Sequence, residues 1–174
     1  MSLPVVEIVR LESERVDDIV EQHLQGRVFH VTKRAYWPSI QRAGAILPNA
    51  EGELPTTFGS SSKSFFRRRG CVSVFDYRLE DGSRLHGCHP LQAAVPGEEG
   101  VAVLLLADAI QDKLIPWSRC KDEGASEQIV PHVEAGYPGP LPLALVESIV
   151  FFRREEDPSC LASILQRAKW GCRR

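Results

Sequence analysis

Residues 101–106 form a run of six apolar residues, Val-Ala-Val-Leu-Leu-Leu, with no polar side chain to mark a solvent side. Strand side chains alternate between two faces, so a short and uniformly apolar run reads as a strand buried on both. Shorter segments at 28–31, 45–47, 71–75, 129–133 and 148–152 also read as strands. The expected helices are 13–26, 36–43, a turn at 64–69, 108–114 and 158–170. The first has Val16, Ile19, Val20, His23 and Leu24 at helical spacing, with Asp17 and Asp18 near its N-terminal end. The last carries Leu161, Ile164, Leu165 and Ala168 on one face. The segments 49–62, 81–96 and 136–142 are rich in Gly, Pro or Ser and read as loops.

Helices and strands do not alternate regularly, which argues against a doubly wound parallel sheet. The expected fold is α+β, a single domain over 1–174 with a split or curved, mainly antiparallel sheet and short flanking helices. Within it, 1–26 is expected to be an N-terminal helical segment, 27–152 the core and 153–174 a C-terminal helix.

A length of 174 residues is enough for one real core, and 43% hydrophobic with 25% charged residues is ordinary globular composition. A net charge of −2 exerts no general pull toward nucleic acid or a membrane, so a polyanionic partner would need a local patch. No apolar run approaches the roughly 20 residues that span a bilayer. Five cysteines, an odd number with no C-x-x-C, and the lack of a secretory pattern favour a reducing, cytoplasmic setting. Delivery into another cell by a route without such a signal stays open.

The chemistry concentrates in Val28-Phe29-His30-Val31-Thr32, followed by Trp37-Pro38-Ser39-Ile40 and Ala43-Gly44-Ala45-Ile46-Leu47-Pro48. His30 and Thr32 share one face of a strand. Pro38 suits a first helical turn, and Gly44 suits the left-handed position past the helix end. This stretch resembles the opening motif of the ADP-ribosyltransferase superfamily, which often reads aromatic-His-x-Thr, then Ser-Ile, then Gly-Leu-hydrophobic-Pro. Poly(ADP-ribose) polymerases, RNA 2′-phosphotransferases and the DNA-modifying transferases of toxin–antitoxin systems share variants of it. The matching residues are Phe29, His30, Thr32, Ser39, Ile40, Gly44, Leu47 and Pro48. Further on, Ser126-Glu127-Gln128-Ile129-Val130 is similar to the segment that carries the catalytic glutamate in poly(ADP-ribose) polymerase-like enzymes. The resemblance runs from about Val28 to Phe152. Its middle motif falls in Gly70 to Tyr77, where Ser73, Phe75 and Tyr77 are all candidates.

The resemblance implies two small sheets around an NAD cleft, with NAD as substrate and no metal. Cleaving the nicotinamide–ribose bond develops positive charge on the sugar, which a fixed carboxylate stabilises. On this reading Glu127 is the catalytic carboxylate, and Glu123 and Glu134 are bystanders. His30 binds a ribose hydroxyl, and Thr32 braces His30 or touches the ligand. Tyr36, Phe75 or Tyr77 stacks on the nicotinamide ring.

Arg67-Arg68-Arg69 is the one dense basic run and suits phosphate, with at most one or two of the three acting together, Arg68 among them. His86-Gly87-Cys88-His89 lacks the second ligand pair expected of a zinc site, and its cysteine and histidines are too close in sequence to converge as a nucleophile and base. The expected activity is transfer of ADP-ribose to a macromolecule, protein or nucleic acid. The alternatives are NAD hydrolysis, or a non-catalytic nucleotide- or protein-binding module of the same fold.

Overall fold

The strand buried on both faces lies near the middle of a seven-stranded sheet. A computed structural model describes residues 5–11, 20–56, 62–78 and 100–154. Its strands are β1 (Val5–Leu11), β2 (Val28–Lys33), β3 (Ala45–Ile46), β4 (Cys71–Asp76), β5 (Val101–Leu106), β6 (Ile115–Pro116), β7 (Glu134–Pro138), β8 (Leu141–Pro142) and β9 (Val146–Arg154). The helices are α1 (Trp37–Ala43), α2 (Phe65–Arg68) and α3 (Ser118–Asp122), with a π-helical turn at Val20–Leu24 and 3-10 turns at Arg34–Tyr36, Asp108–Lys113 and Leu143–Leu145. The large sheet has the order β1-β9-β5-β2-β4-β7-β6, and β3 pairs with β8 in a second, two-stranded sheet. Among the described strands β1 and β9 run parallel, and the other pairs are antiparallel. The α+β class and the mainly antiparallel sheet expected from the sequence are therefore present. No described helix is long and apolar enough to cross a membrane.

Every residue of β5 is buried, and its alternating side chains feed two cores. Val101, Val103 and Leu105 pack with Phe29, Val31, Phe75, Tyr77, Val150 and Phe152 on one face. Ala102, Leu104 and Leu106 pack with Val28, Val72, Val74, Ile149 and Phe151 on the other. A fully buried aliphatic side chain of this kind contributes about 1.5–3 kcal/mol. Phe65 and Phe66 of α2 fill a third cluster with Cys71 and Cys120.

β2 and β4 split apart along most of their length. β2 pairs with β5 along its whole length, from Val28↔Leu106 to Lys33↔Val101. With β4 it pairs only at Val28↔Asp76 and Phe29↔Phe75. Beyond Phe29 the ladder stops, and the space between the two strands opens into a cavity.

Three expectations need correction. The N-terminal segment is not wholly helical: Val5–Leu11 is a strand on the edge of the sheet. Its Val-Val-Glu-Ile-Val sequence is dense in β-branched residues, which favour strands. The strand expected at 129–133 is a loop ending in a turn, and the strand begins at Glu134. Pro131 lacks an N–H and His132 takes a left-handed backbone at φ 68°, so neither extends a ladder. The expected loop at 136–142 instead holds the end of β7 and all of β8. Its prolines are tolerated because Pro138 and Pro142 stand at strand ends. The segments 1–4, 12–19, 57–61, 79–99 and 155–174 lie outside the described residues, and with them the first half of the 13–26 helix, the 81–96 loop, the His86–Cys88–His89 cluster and the 158–170 helix.

Candidate active site

Where β2 leaves β4, the His30 side chain bridges the gap. Its Nδ1 lies 2.8 Å from the carbonyl oxygen of Ser73. A carbonyl can only accept, so Nδ1 carries the proton and donates. Burial lowers the His30 pKa against the opposing pull of this bond, which favours the neutral ring. Nε2 is then left with a lone pair, an acceptor for a ligand hydroxyl.

Ser73 also acts through its side chain. Its hydroxyl donates to Glu134 Oε1 at 2.6 Å. The sheet register explains the reach: Ser73 pairs with Gly136 and Phe75 with Glu134, so Ser73 and Glu134 are diagonal neighbours on one face. The other carboxylate oxygen accepts the Val130 N–H at 2.7 Å. The Glu134 N–H returns to the Val130 carbonyl at 3.1 Å, closing the turn. His132 sits inside that turn, its ring 4.6 Å from the Trp117 ring. Glu134 is 7% exposed. Burial pushes its carboxyl above the ordinary value of 4.5, and the bonds from Ser73 and Val130 offset part of that rise.

The cavity at the split has a volume of about 600 Å³, within the range of small-molecule sites. His30, Ser73 and Glu134 line it together with Thr32, Tyr36 and Phe75. The motif residues Ser39, Ile40, Leu47 and Pro48 also face it. The turn that directs them is built as the sequence suggests: Pro38 lies in the first turn of α1, and Gly44 ends the helix at φ 67°. Thr32 is 5% exposed, two residues along β2 from His30. Phe75 stacks on Phe29 with ring centroids 5.7 Å apart. Tyr36 lies under the Lys33 ammonium, 5.9 Å from its ring centroid.

Three residues expected in the site stand elsewhere. Glu127 does not line the cavity. Backbone bonds from the Phe65 N–H to the Gln128 carbonyl and from the Gln128 N–H to the Lys63 carbonyl hold its neighbour against the start of α2. Glu127 is thereby placed 3.4 Å from Arg69 and 3.5 Å from Arg68, an ion-pair position. Arg68 is an exposed member of that cluster and not a cavity residue. Tyr77 is buried in the core, edge-on to Phe29 at 4.8 Å. The middle-motif alternatives reduce to Ser73 and Phe75 at the cavity, with Ser73 alone bonded to both His30 and Glu134.

Glu134 and Arg67 line the cavity where the sequence points to Glu127 and Arg68. The signal for Glu134 was its neighbourhood: it stands in Val-Glu-Ala-Gly-Tyr, an acid among apolar and small residues, whereas Glu127 stands in polar Ser-Glu-Gln. Among the described residues, no group of three or more His, Cys, Asp or Glu side chains gathers as metal ligands. The chain matches no protein-family model, no curated protein and no solved structure.

Proposed function

We propose that this chain cleaves NAD at the nicotinamide–ribose bond and transfers the ADP-ribose to a macromolecular acceptor, protein or nucleic acid, with Glu134 as the carboxylate at the reacting sugar. The observation that carries the reading is the convergence of His30 and Glu134 on one residue, Ser73, in the wall of a single cavity. The resemblance of the 28–48 segment to the ADP-ribosyltransferase opening motif supplies the reaction class.

The residues divide the work as follows. Neutral His30 accepts a hydrogen bond from a ribose hydroxyl through Nε2, its tautomer fixed by the Ser73 carbonyl. Tyr36 and Phe75 offer aromatic surface for the nicotinamide ring. As the glycosidic bond lengthens, the pair of electrons leaves with nicotinamide and positive charge grows on the ribose. Ionised Glu134, held by Ser73 and Val130, stabilises that charge without having to reorganise. The acceptor's nucleophile then attacks the sugar.

Burial of Glu134 favours its protonated form, and a protonated acid stabilises no cation. That observation supports a second reading, a binding module that holds a nucleotide without turnover. Incubation of the protein with NAD, followed by assay of free nicotinamide across pH, separates the two. The transferase reading expects release that grows as pH rises through the Glu134 pKa. No release at any pH, with or without protein and nucleic-acid acceptors, leaves the binding reading in its place.

A further inference from the structure

We propose that Trp117 and His132 are positioning residues for Glu134: their ring contact, outside the cavity, holds the 130–134 turn so that the Val130 N–H meets the carboxylate. The positioning rests on geometry alone; its consequence for NAD cleavage rests on the function proposed above.

Among the described residues, His132 is the one non-glycine residue with a positive φ, 68°. That region is open to glycine and costly for an L side chain. A histidine kept there points to a use for its ring. The ring centroid lies 4.6 Å from that of Trp117 with the planes at 51°, inside the range of a favourable aromatic pair. Both residues are half-buried and neither lines the cavity, so the contact belongs neither to the ligand wall nor to the central core.

The sheet brings the two rings together. β6 pairs with β7 through Ile115↔Gly136 and Pro116↔Ala135. Trp117 follows Pro116 and Glu134 precedes Ala135, so Trp117 stands at the end of β6 where the turn enters β7. Its base is firm. The Trp117 carbonyl accepts the Cys120 N–H at 3.1 Å, and Cys120 is buried in one cluster with Phe65 and Phe66.

The turn is anchored at both ends and gripped at its reversal. Val133 is buried, and its carbonyl accepts the Asp76 N–H at 2.7 Å. Val130 packs against the same core. Between them Pro131 is exposed and His132 reverses the chain against Trp117. This grip sets where the Val130 N–H points. With Ser73 on Oε1 and Val130 on Oε2, both oxygens of Glu134 are fixed, and so is the plane of the carboxylate. Without Val130 the carboxylate is free to turn about the Ser73 bond, and preorganisation at the sugar is lost. The other titratable side chains lining the cavity with Glu134 are His30, Tyr36, Arg67 and Cys71, and none of them lies in the turn.

The test measures hydrogen exchange of the Val130 and Glu134 amides in the full chain, with the fully buried Leu104 as gauge of global unfolding. His132→Asn removes the ring but keeps a residue at ease in the left-handed region. Trp117→Ala removes the same contact and leaves His132 and its titration in place. Each is expected to speed Val130 and Glu134 exchange by about two- to tenfold beyond any change at Leu104, the worth of one aromatic pair. Trp117→Phe keeps a ring and is expected to stay close to wild type. The Glu134 carboxyl titration, read by NMR, should move to higher pH in His132→Asn and Trp117→Ala and not in Trp117→Phe, because the Val130 bond lowers that pKa. With NAD, kcat should fall in the same two variants while KM stays within about twofold, since neither residue touches the ligand wall.

Val130 exchange unmoved in His132→Asn, or rising only in step with Leu104, overturns the proposal, and so does an unmoved Glu134 titration. If Trp117→Ala does not fold, His132→Asn decides alone. The two readings fail separately. Shifted Val130 exchange and Glu134 titration without nicotinamide release by the wild type sink the transferase reading alone. Nicotinamide release by the wild type, with both signals unmoved in His132→Asn, sinks the positioning alone.

Discussion

The Ser73 hydroxyl donates to Glu134 Oε1 at 2.6 Å while the Ser73 carbonyl accepts from His30 Nδ1 at 2.8 Å. One residue thus fixes the position of a carboxylate and the tautomer of a histidine. The two bonds differ in kind: the first belongs to a side chain, the second to the backbone, and mutation separates them.

Ser73→Ala removes the hydroxyl and keeps the carbonyl. Glu134 loses a bond that lowers its pKa, so its pKa moves further up. The limb of nicotinamide release that rises with pH is expected to shift to higher pH, with the activity well above it within about tenfold of wild type, since His30 keeps its anchor. An equal loss at every pH would mean that Ser73 does not act through Glu134 ionisation.

Stability should carry the signatures of both Glu134 and His30, with opposite signs. The folded pKa of Glu134 is raised, so its contribution is complete below 4.5 and is lost as pH rises through the folded value. The folded pKa of His30 is lowered, so its contribution is complete above 6.5 and is lost as pH falls through the folded value. Thermal melts as a function of pH check this. Glu134→Gln should gain on wild type as pH rises from 4.5, because an amide can still serve Ser73 and Val130 without an ionisation cost. His30→Asn should remove part of the acid-side loss. A Glu134→Gln variant that loses ground to wild type with rising pH contradicts the sign.

Gly136 is expected to resist substitution. A Cβ there would run into the ring of Phe66, which is fully buried. Gly136→Ala should cost about 1–3 kcal/mol by overpacking. Adding Phe66→Leu should cost less than the two changes summed, because they share one contact. Denaturant unfolding of the four proteins gives the coupling directly, and simple additivity would contradict it.

Much of this architecture was legible in the chain. The apolar run at 101–106 announced β5, and the Pro38–Gly44 pair bounded α1, because local chemistry decides those elements. His30, Thr32, Ser39 and Ile40 came out in one cavity because a strand and the helix that follows it fix their relative positions over a short stretch. Glu127 and Glu134 could not be told apart in that way. Their placement depends on pairing β7 with β4, more than fifty residues distant, as in Ser73↔Gly136, and on the left-handed turn at His132. Which of Arg67 and Arg68 lines the cavity is hidden in the sequence for a similar reason. Adjacent residues on a single helical turn point apart, and only the position of α2 beside the cavity decides which one enters it.

The account rests most heavily on which of two glutamates acts at the sugar, and parallel nicotinamide-release assays on wild type, Glu134→Gln and Glu127→Gln with NAD decide it. Glu134→Gln is expected to lose about 10²–10³ in rate, the effect of removing one preorganised electrostatic group. Glu127→Gln should stay within a few-fold of wild type, with a stability change within about 1 kcal/mol, as for an ion pair near the surface. A Glu134→Gln protein that releases nicotinamide at the wild-type rate, or a Glu127→Gln protein that alone loses it, would contradict the account.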